Sequence, residues 1–291
     1  MRWTNTGGKV RQGRRYSGCA PITNVEHGGV VARLGAARTS ATRPRQPSAS
    51  SPACGLLDSV LTPGSETIWA VQQIFNGKAP GSNAIPPDIY KHGGPRLMAE
   101  LTTLFREMWR QGQVPQDFKD ETIVHLYNRK GNRQLCDNHR GISLLNITGK
   151  IFTRFLLNCL NGHLEQGLLP ESQCGFRQHR GTSDMIFAAR QLQEKCQEMQ
   201  THLYTTFVDL TKAFDTVNRD GLWKVRQKFG CLERFMHTVR QLHDGMTARV
   251  IDNGTVSEAF AVTNGVKQGC VLFPNLFILM FSGTLLDAYR D

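Results

Sequence analysis

The segment Thr206-Phe207-Val208-Asp209-Leu210-Thr211-Lys212-Ala213-Phe214-Asp215 constrains this chain more than any other. The β-branched and aromatic run from His202 to Val208 predicts a strand that ends on a carboxylate. A buried apolar strand fixes its backbone. Asp209 and the following carbonyl, that of Leu210, can therefore offer two hard oxygens to a divalent cation, with the ring of Phe214 beside whatever that cation binds. The same pattern fits an aspartate that caps the next helix, and the segment alone does not separate the two readings.

A second segment runs Asn264-Gly265-Val266-Lys267-Gln268-Gly269-Cys270-Val271-Leu272-Phe273-Pro274-Asn275-Leu276-Phe277. Glycines on both sides of Lys267-Gln268 let backbone approach a ligand closely, and Pro274 suits the first turn of a helix. An ordinary loop-to-helix junction would look the same.

Around these segments the apolar period switches repeatedly. It predicts a short helix over 67–75, a Pro/Gly-rich loop over 78–87 and a helix from Pro95 to Gly112 with Leu97, Leu101, Phe105 and Met108 on one stripe. A strand over 122–127 follows, then helices over 147–166 and 183–199, the latter capped by Thr182 or Ser183. Helices over 219–229 and 232–244 precede a hairpin, 247–252 with 255–262, about Asn253-Gly254, and a last helix over 274–289. The fold class is α+β, occupying 65–291 with its core in about 120–291.

Residues 1–64 read differently. Within 1–60, nine basic residues stand against Glu26 and Asp58, a charge of 9 − 2 = +7 out of the chain's +11. Gly, Ser, Pro, Thr and Ala fill the spaces and no apolar period persists, so a disordered, basic, low-complexity segment is expected. Its composition suits a transit peptide, a nuclear-import or RNA-binding arm, read-through of noncoding sequence, or a solvated tail without specific role, the last being preferred. Apolar residues at 40% of the 291 exclude a wholly disordered chain. The positive excess favours a polyanionic partner.

Several function classes lose support. The eight cysteines are scattered without C-x-x-C, and no apolar leader follows Met1, which favours a reducing, intracellular compartment, cytoplasmic or nuclear. Cys136-x-x-His139 with Cys159-x-x-x-His163 could form a Cys₂His₂ zinc site, but Cys159 and His163 sit in an apolar helical pattern, where Cys is an ordinary small hydrophobe. The apolar stretch from Cys270 to Leu286 is broken by Pro274, Asn275, Ser282 and Gly283 and reads as a buried helix, with no membrane partner expected. No G-x-S-x-G, H-E-x-x-H or P-loop pattern occurs.

Together the two segments resemble motifs A and B of reverse transcriptases of non-LTR (LINE-like) retrotransposons. The resemblance extends through Gly77-Lys78-Ala79-Pro80-Gly81-Ser82, Asn138-His139-Arg140-Gly141-Ile142-Ser143-Leu144-Leu145 and Gly175-Phe176-Arg177, in family order over 66–291. It implies the fingers and part of the palm of a right-hand polymerase, RNA template, DNA primer and deoxynucleoside triphosphates as partners, and two Mg²⁺ ions. By position, Asp209 resembles the metal-binding palm aspartate and Leu210 its backbone companion. Phe214 resembles the ring that crowds the 2′ position, and Gln268 and Gly269 the loop packed against incoming nucleotide and template. Arg129, Lys130 and Arg140 fall where basic fingers residues meet the triphosphate, a role a guanidinium fork suits. Asp215 also matches a family position, and a local capping role is the preferred reading for it.

In the family a downstream aromatic-Ala-Asp-Asp motif completes the metal cage. No Asp-Asp dipeptide occurs in these 291 residues, and no thumb is expected within them. The resemblance therefore implies a polymerase fragment that is inactive alone; a non-catalytic nucleic-acid-binding remnant or an expressed pseudogene fragment is the alternative. Phe273 departs from the small residue usual before the proline, so its ring is expected to fill space meant for nucleotide or for close helix packing. Without its hairpin neighbour, the strand ending at Asp209 is expected to leave an apolar edge open, which favours aggregation.

Overall fold

Regular structure sets in where the apolar period does. The computed structural model describes residues 65–288 except 78, 82, 165–168, 178, 211, 226–228, 230 and 232, together with the pair Val10–Arg11. The helices are α1 (Ser65–Gln72), α2 (Pro87–His92), α3 (Gly94–Gln111), α4 (Gln116–Lys119), α5 (Ile147–Leu164), α6 (Thr182–Glu198), α7 (Arg219–Val225), α8 (Glu233–Gln241) and α9 (Phe273–Ala288). The strands are β1 (Val10–Arg11), β2 (Glu121–Tyr127), β3 (His139–Leu144), β4 (Phe207–Val208), β5 (Thr247–Asp252), β6 (Thr255–Val256) and β7 (Phe260–Ala261). This is a mixed α/β chain, in agreement with the α+β reading. It divides into two compact units, Met1–Arg45 with Leu169–Ala213, and Gln46–Leu168 with Phe214–Asp291.

The second unit holds a mixed five-stranded sheet in the order β3-β2-β5-β6, with β7 also paired to β5. β2 and β3 form an antiparallel ladder from Thr122↔Leu144 to Tyr127↔His139, while β2 and β5 run parallel. Helix α5 is the core element: Ile147, Ile151, Phe152 and Leu156 are fully buried. The Phe152 ring lies 5.2 Å from Phe105 of α3 and 6.3 Å from Phe118 of α4. Gly112 closes α3 in a left-handed conformation, its N–H donating to the Met108 carbonyl at 2.9 Å. Helix α9 buries Leu276, Phe277, Ile278 and Leu279, as expected of a core helix. No described helix is long and apolar enough to cross a membrane.

The predicted hairpin is present, with Asn253 and Gly254 both at positive φ. Its return strand is split into β6 and β7, because Ser257 takes over the pairing: its Oγ accepts the Val250 N–H at 3.0 Å and its N–H donates to the Val250 carbonyl at 2.9 Å.

Two expectations need correction, the length of the strand over 202–208 and the cap of the helix over 183–199. In the first unit the strand predicted over 202–208 shrinks to β4, since only Phe207 and Val208 find a ladder partner among the described residues. That partner is β1, in antiparallel register Val10↔Val208 and Arg11↔Phe207, which pairs one edge of β4. Apart from Val10–Arg11, residues 1–64 and the disorder expected of them lie outside the described residues. Helix α6 is capped by Gly181, not Thr182 or Ser183: the Asp184 carboxylate reaches back to accept the Gly181 N–H at 2.7 Å. Helix α7 is capped by Asn218, whose Oδ1 accepts the Gly221 N–H at 2.8 Å.

Candidate functional site

The loop from Asn264 to Cys270 is held on three sides within the second unit. On one side it meets the turn carrying Phe214 and Asp215: the Gly265 N–H donates to the Val217 carbonyl at 3.0 Å and the Val266 N–H to the Phe214 carbonyl at 2.9 Å. A Cβ on Gly265, whose φ is +77°, would stand 2.6 Å from the Asp215 carbonyl oxygen, so only glycine allows this approach. The Phe214 ring leans on Phe277 of α9 at 5.2 Å between centroids.

On a second side the loop extends the ladder of β3. The Gln268 carbonyl accepts the Ser143 N–H at 2.8 Å, and a Cβ on Gly269 would lie 2.9 Å from the Ser143 carbonyl. The Gln268 side chain turns the same way. With the amide oriented so that both its atoms are satisfied, its NH₂ donates to the Gly141 carbonyl at 2.8 Å, and its oxygen accepts Nε and Nη2 of Arg140 at 2.8 and 3.1 Å.

Beneath the loop lies a buried polar cluster. Lys267 is 4% exposed, and its Nζ donates to the carbonyls of Lys119, at 2.5 Å, and Phe118, at 3.3 Å, where α4 ends. Burial holds its pKa down to about 8, against the opposing pull of Glu121, Cys270 and Asp120. Burial raises the Glu121 carboxyl, with the Ser143 hydrogen bond and the charges of Lys267 and Arg219 working against it and Asp215 adding to it. His243 is fully buried and neutral, its pKa pushed to about 3 mainly by burial, with Nδ1 donating to the Val239 carbonyl at 2.9 Å.

The structure thus brings Arg140, Gln268 and Gly269 together on β3 and ties the Phe214 turn to the same loop. Arg129 and Lys130 are exposed in the turn beyond the last β2–β3 pair, Arg129 at a φ of 56°. Asp209, exposed, and Leu210, half-buried, follow β4 and belong to the first unit. Phe273 is fully buried and meets His243 edge-on at 4.4 Å, so its ring fills core space. Cys159 is a half-buried thiol pushed up to about 12 mainly by desolvation, and the His163 ring pairs with the Phe229 carbonyl at 3.2 Å.

Lys267, Glu121 and Arg219 were not singled out from the sequence. For Lys267 a signal existed, a lone charge flanked by apolar residues and glycines; Arg219, in Asn-Arg-Asp, looks like any solvated arginine.

Two-ion phosphoryl transfer needs several anionic oxygens around the metals. Asp209 and the Leu210 carbonyl are the donors that the sequence nominates. No three His, Cys, Asp or Glu side chains converge among the described residues.

Comparison with known proteins gives the family. The chain is 26% identical over 207 residues to the RNA-directed DNA polymerase from mobile element jockey of Drosophila melanogaster, covering 70% of this chain and 22% of that protein. It is 26% identical over 219 residues to a probable RNA-directed DNA polymerase from transposon BS of the same species, and 27% identical over 238 to a putative 115 kDa protein in its type-1 retrotransposable element R1DM. These cover 73% and 78% of this chain, and 23% and 22% of the relatives, so the chain spans under a quarter of their length. Residues 128–290 match the family model described as reverse transcriptase (RNA-dependent DNA polymerase), and the chain belongs to that family.

Proposed function

We propose that residues 65–291 form fingers and part of the palm of a non-LTR retrotransposon polymerase, and that the Gly265–Gly269 loop with Arg140 handles the incoming deoxynucleoside triphosphate. The observation that carries this is the joint placement of Arg140 and Gln268 on β3, beside a loop bonded to the Phe214 turn. A planar guanidinium held by an amide at a strand end presents its remaining N–H groups in a fixed direction, which suits phosphate oxygens. In this reading Phe214 abuts the sugar, Gln268 and Gly269 the nucleotide and template, and Arg129 and Lys130 add positive charge. Asp209 and the Leu210 carbonyl are the ligands this chain offers to Mg²⁺, and RNA template and DNA primer are its partners.

With one such carboxylate and no Asp-Asp dipeptide, the polypeptide by itself is not expected to extend a primer. Titration of the chain with template–primer and then deoxynucleoside triphosphate tests the reading. Salt-sensitive template binding and triphosphate binding weakened by Arg140→Ala and Asp209→Ala are expected. Triphosphate binding indifferent to both substitutions would sink the site assignment. Primer extension abolished by Asp209→Ala would overturn the incompleteness.

A further inference from the structure

Arg219 opens α7 four residues after Asp215, and its guanidinium is turned inward, away from any phosphate-binding role. Its hydrogen bonds tie the start of the Asn264–Cys270 loop to residues 243–246 and to Val262. Nε donates to the Gly265 carbonyl at 2.9 Å, Nη1 to the carbonyls of Val262 at 3.0 Å and His243 at 3.1 Å, and Nη2 to the Asn264 carbonyl at 3.3 Å and the Met246 sulfur at 3.3 Å. Four carbonyls from two chain segments thus converge on one planar cation. An arginine satisfies so many acceptors at fixed angles, where a lysine's point charge cannot.

The peptide that Arg219 grips is the one that grips Phe214. Gly265 accepts from Arg219 with its carbonyl and donates to Val217 with its N–H, and its neighbour Val266 donates to the Phe214 carbonyl. A three-part linkage results: guanidinium, Gly265-Val266, Phe214 backbone. The side chain of Phe214 is then held between that bonded backbone and the Phe277 ring. Loosening Arg219 lets the ring's backbone drift relative to the loop that carries Gln268.

We infer that Arg219 is a positioning residue for sugar selection: by clamping the Gly265 peptide it sets the place of Phe214 and hence the discrimination between deoxyribo- and ribonucleoside triphosphates. The inference rests on the function proposed above. It predicts that removing the clamp changes the ratio of affinities for the two sugars more than either affinity's dependence on the base.

The test uses the full chain with template–primer. Hydrogen exchange at Gly265 and Val266 is followed in Arg219→Ala and Arg219→Lys, and binding of a deoxynucleoside triphosphate is compared with that of the matching ribonucleoside triphosphate. Exchange at both amides is expected to quicken about tenfold or more in Arg219→Ala and less in Arg219→Lys. The deoxy-to-ribo preference is expected to fall about tenfold in parallel. Gly265→Ala, which breaks the same linkage without touching Arg219, is expected to lower the preference too, and it covers the case in which Arg219→Ala does not fold. Unchanged exchange in Arg219→Ala overturns the clamp alone. Faster exchange with an unchanged preference overturns the link to sugar selection. Failure of the unsubstituted chain to bind either nucleotide overturns both this inference and the proposed function beneath it.

Discussion

Arg140 and Gln268 stand 128 residues apart in the chain, yet the Gln268 amide oxygen accepts both Nε and Nη2 of Arg140. The register that allows this is set by backbone. The Gln268 carbonyl takes the Ser143 N–H, which places the glutamine one strand-step from Gly141 and its neighbour Arg140. A charge-assisted contact at an exposed position contributes little to stability. Its value is directional.

That relationship is measurable as a coupling. In a double-mutant cycle with Arg140→Ala and Gln268→Ala, triphosphate binding is expected to show a coupling energy of about 0.5–1.5 kcal/mol. Additive effects of the two substitutions would show that the pair does not act as a unit.

Gly81 tests the packing of an upstream motif. A Cβ there would collide with the Leu145 carbonyl and stand 2.5 Å from the Asn146 N–H nitrogen, both of them backbone at the start of α5. Gly81→Ala is expected to destabilise the chain by about 1–3 kcal/mol in denaturant unfolding, because neither partner can swing away. Gly77→Ala, where the space is open but φ is +66°, is expected to cost about 1 kcal/mol through backbone strain alone. An equal loss in the two variants would contradict the steric argument.

Phe273 is a packing residue. Fully buried against His243, it should behave as a core ring, and Phe273→Ala should cost about 3–5 kcal/mol. Phe273→Leu is expected to retain most of the stability. A Phe273→Ala chain as stable as the parent, with tighter nucleotide binding, would instead place the ring in a nucleotide pocket.

Lys267 gives the fold a pH dependence. Its folded pKa of about 8 lies below the ordinary 10.5, so between these values the folded chain binds fewer protons than the unfolded one. Stability contributed by this site therefore rises with pH across that window, by up to about 1.4 kcal/mol per pH unit, and is flat below it. Denaturant unfolding of parent and Lys267→Met at pH 7, 8, 9 and 10 checks this. The variant should lack the rise; parallel profiles would mean that Lys267 does not titrate there.

Local chemistry explains what was legible in advance. Helices over Gly94–Gln111 and Ile147–Leu164 follow from apolar periodicity sustained over several turns. The hairpin follows from Asn253-Gly254, because both residues tolerate positive φ. Strand β3 escaped notice because Gly141 and the polar His139 and Arg140 interrupt its pattern; it is a strand because β2 supplies a six-pair ladder. The converse happened at 202–206, where a favourable composition found no partner among the described residues.

The same division holds at the site. The order and spacing of Asp209, Phe214, Arg140 and the Gly265–Gly269 loop are properties of the sequence, and they sufficed for the family. Which of these residues touch was decided only by tertiary structure, since each contact joins segments far apart in the chain. Arg219 and Lys267 show why. A cation's role depends on which carbonyls surround it, and those that tertiary packing brought to Arg219 and Lys267 turned two ordinary basic residues into the supports of a loop.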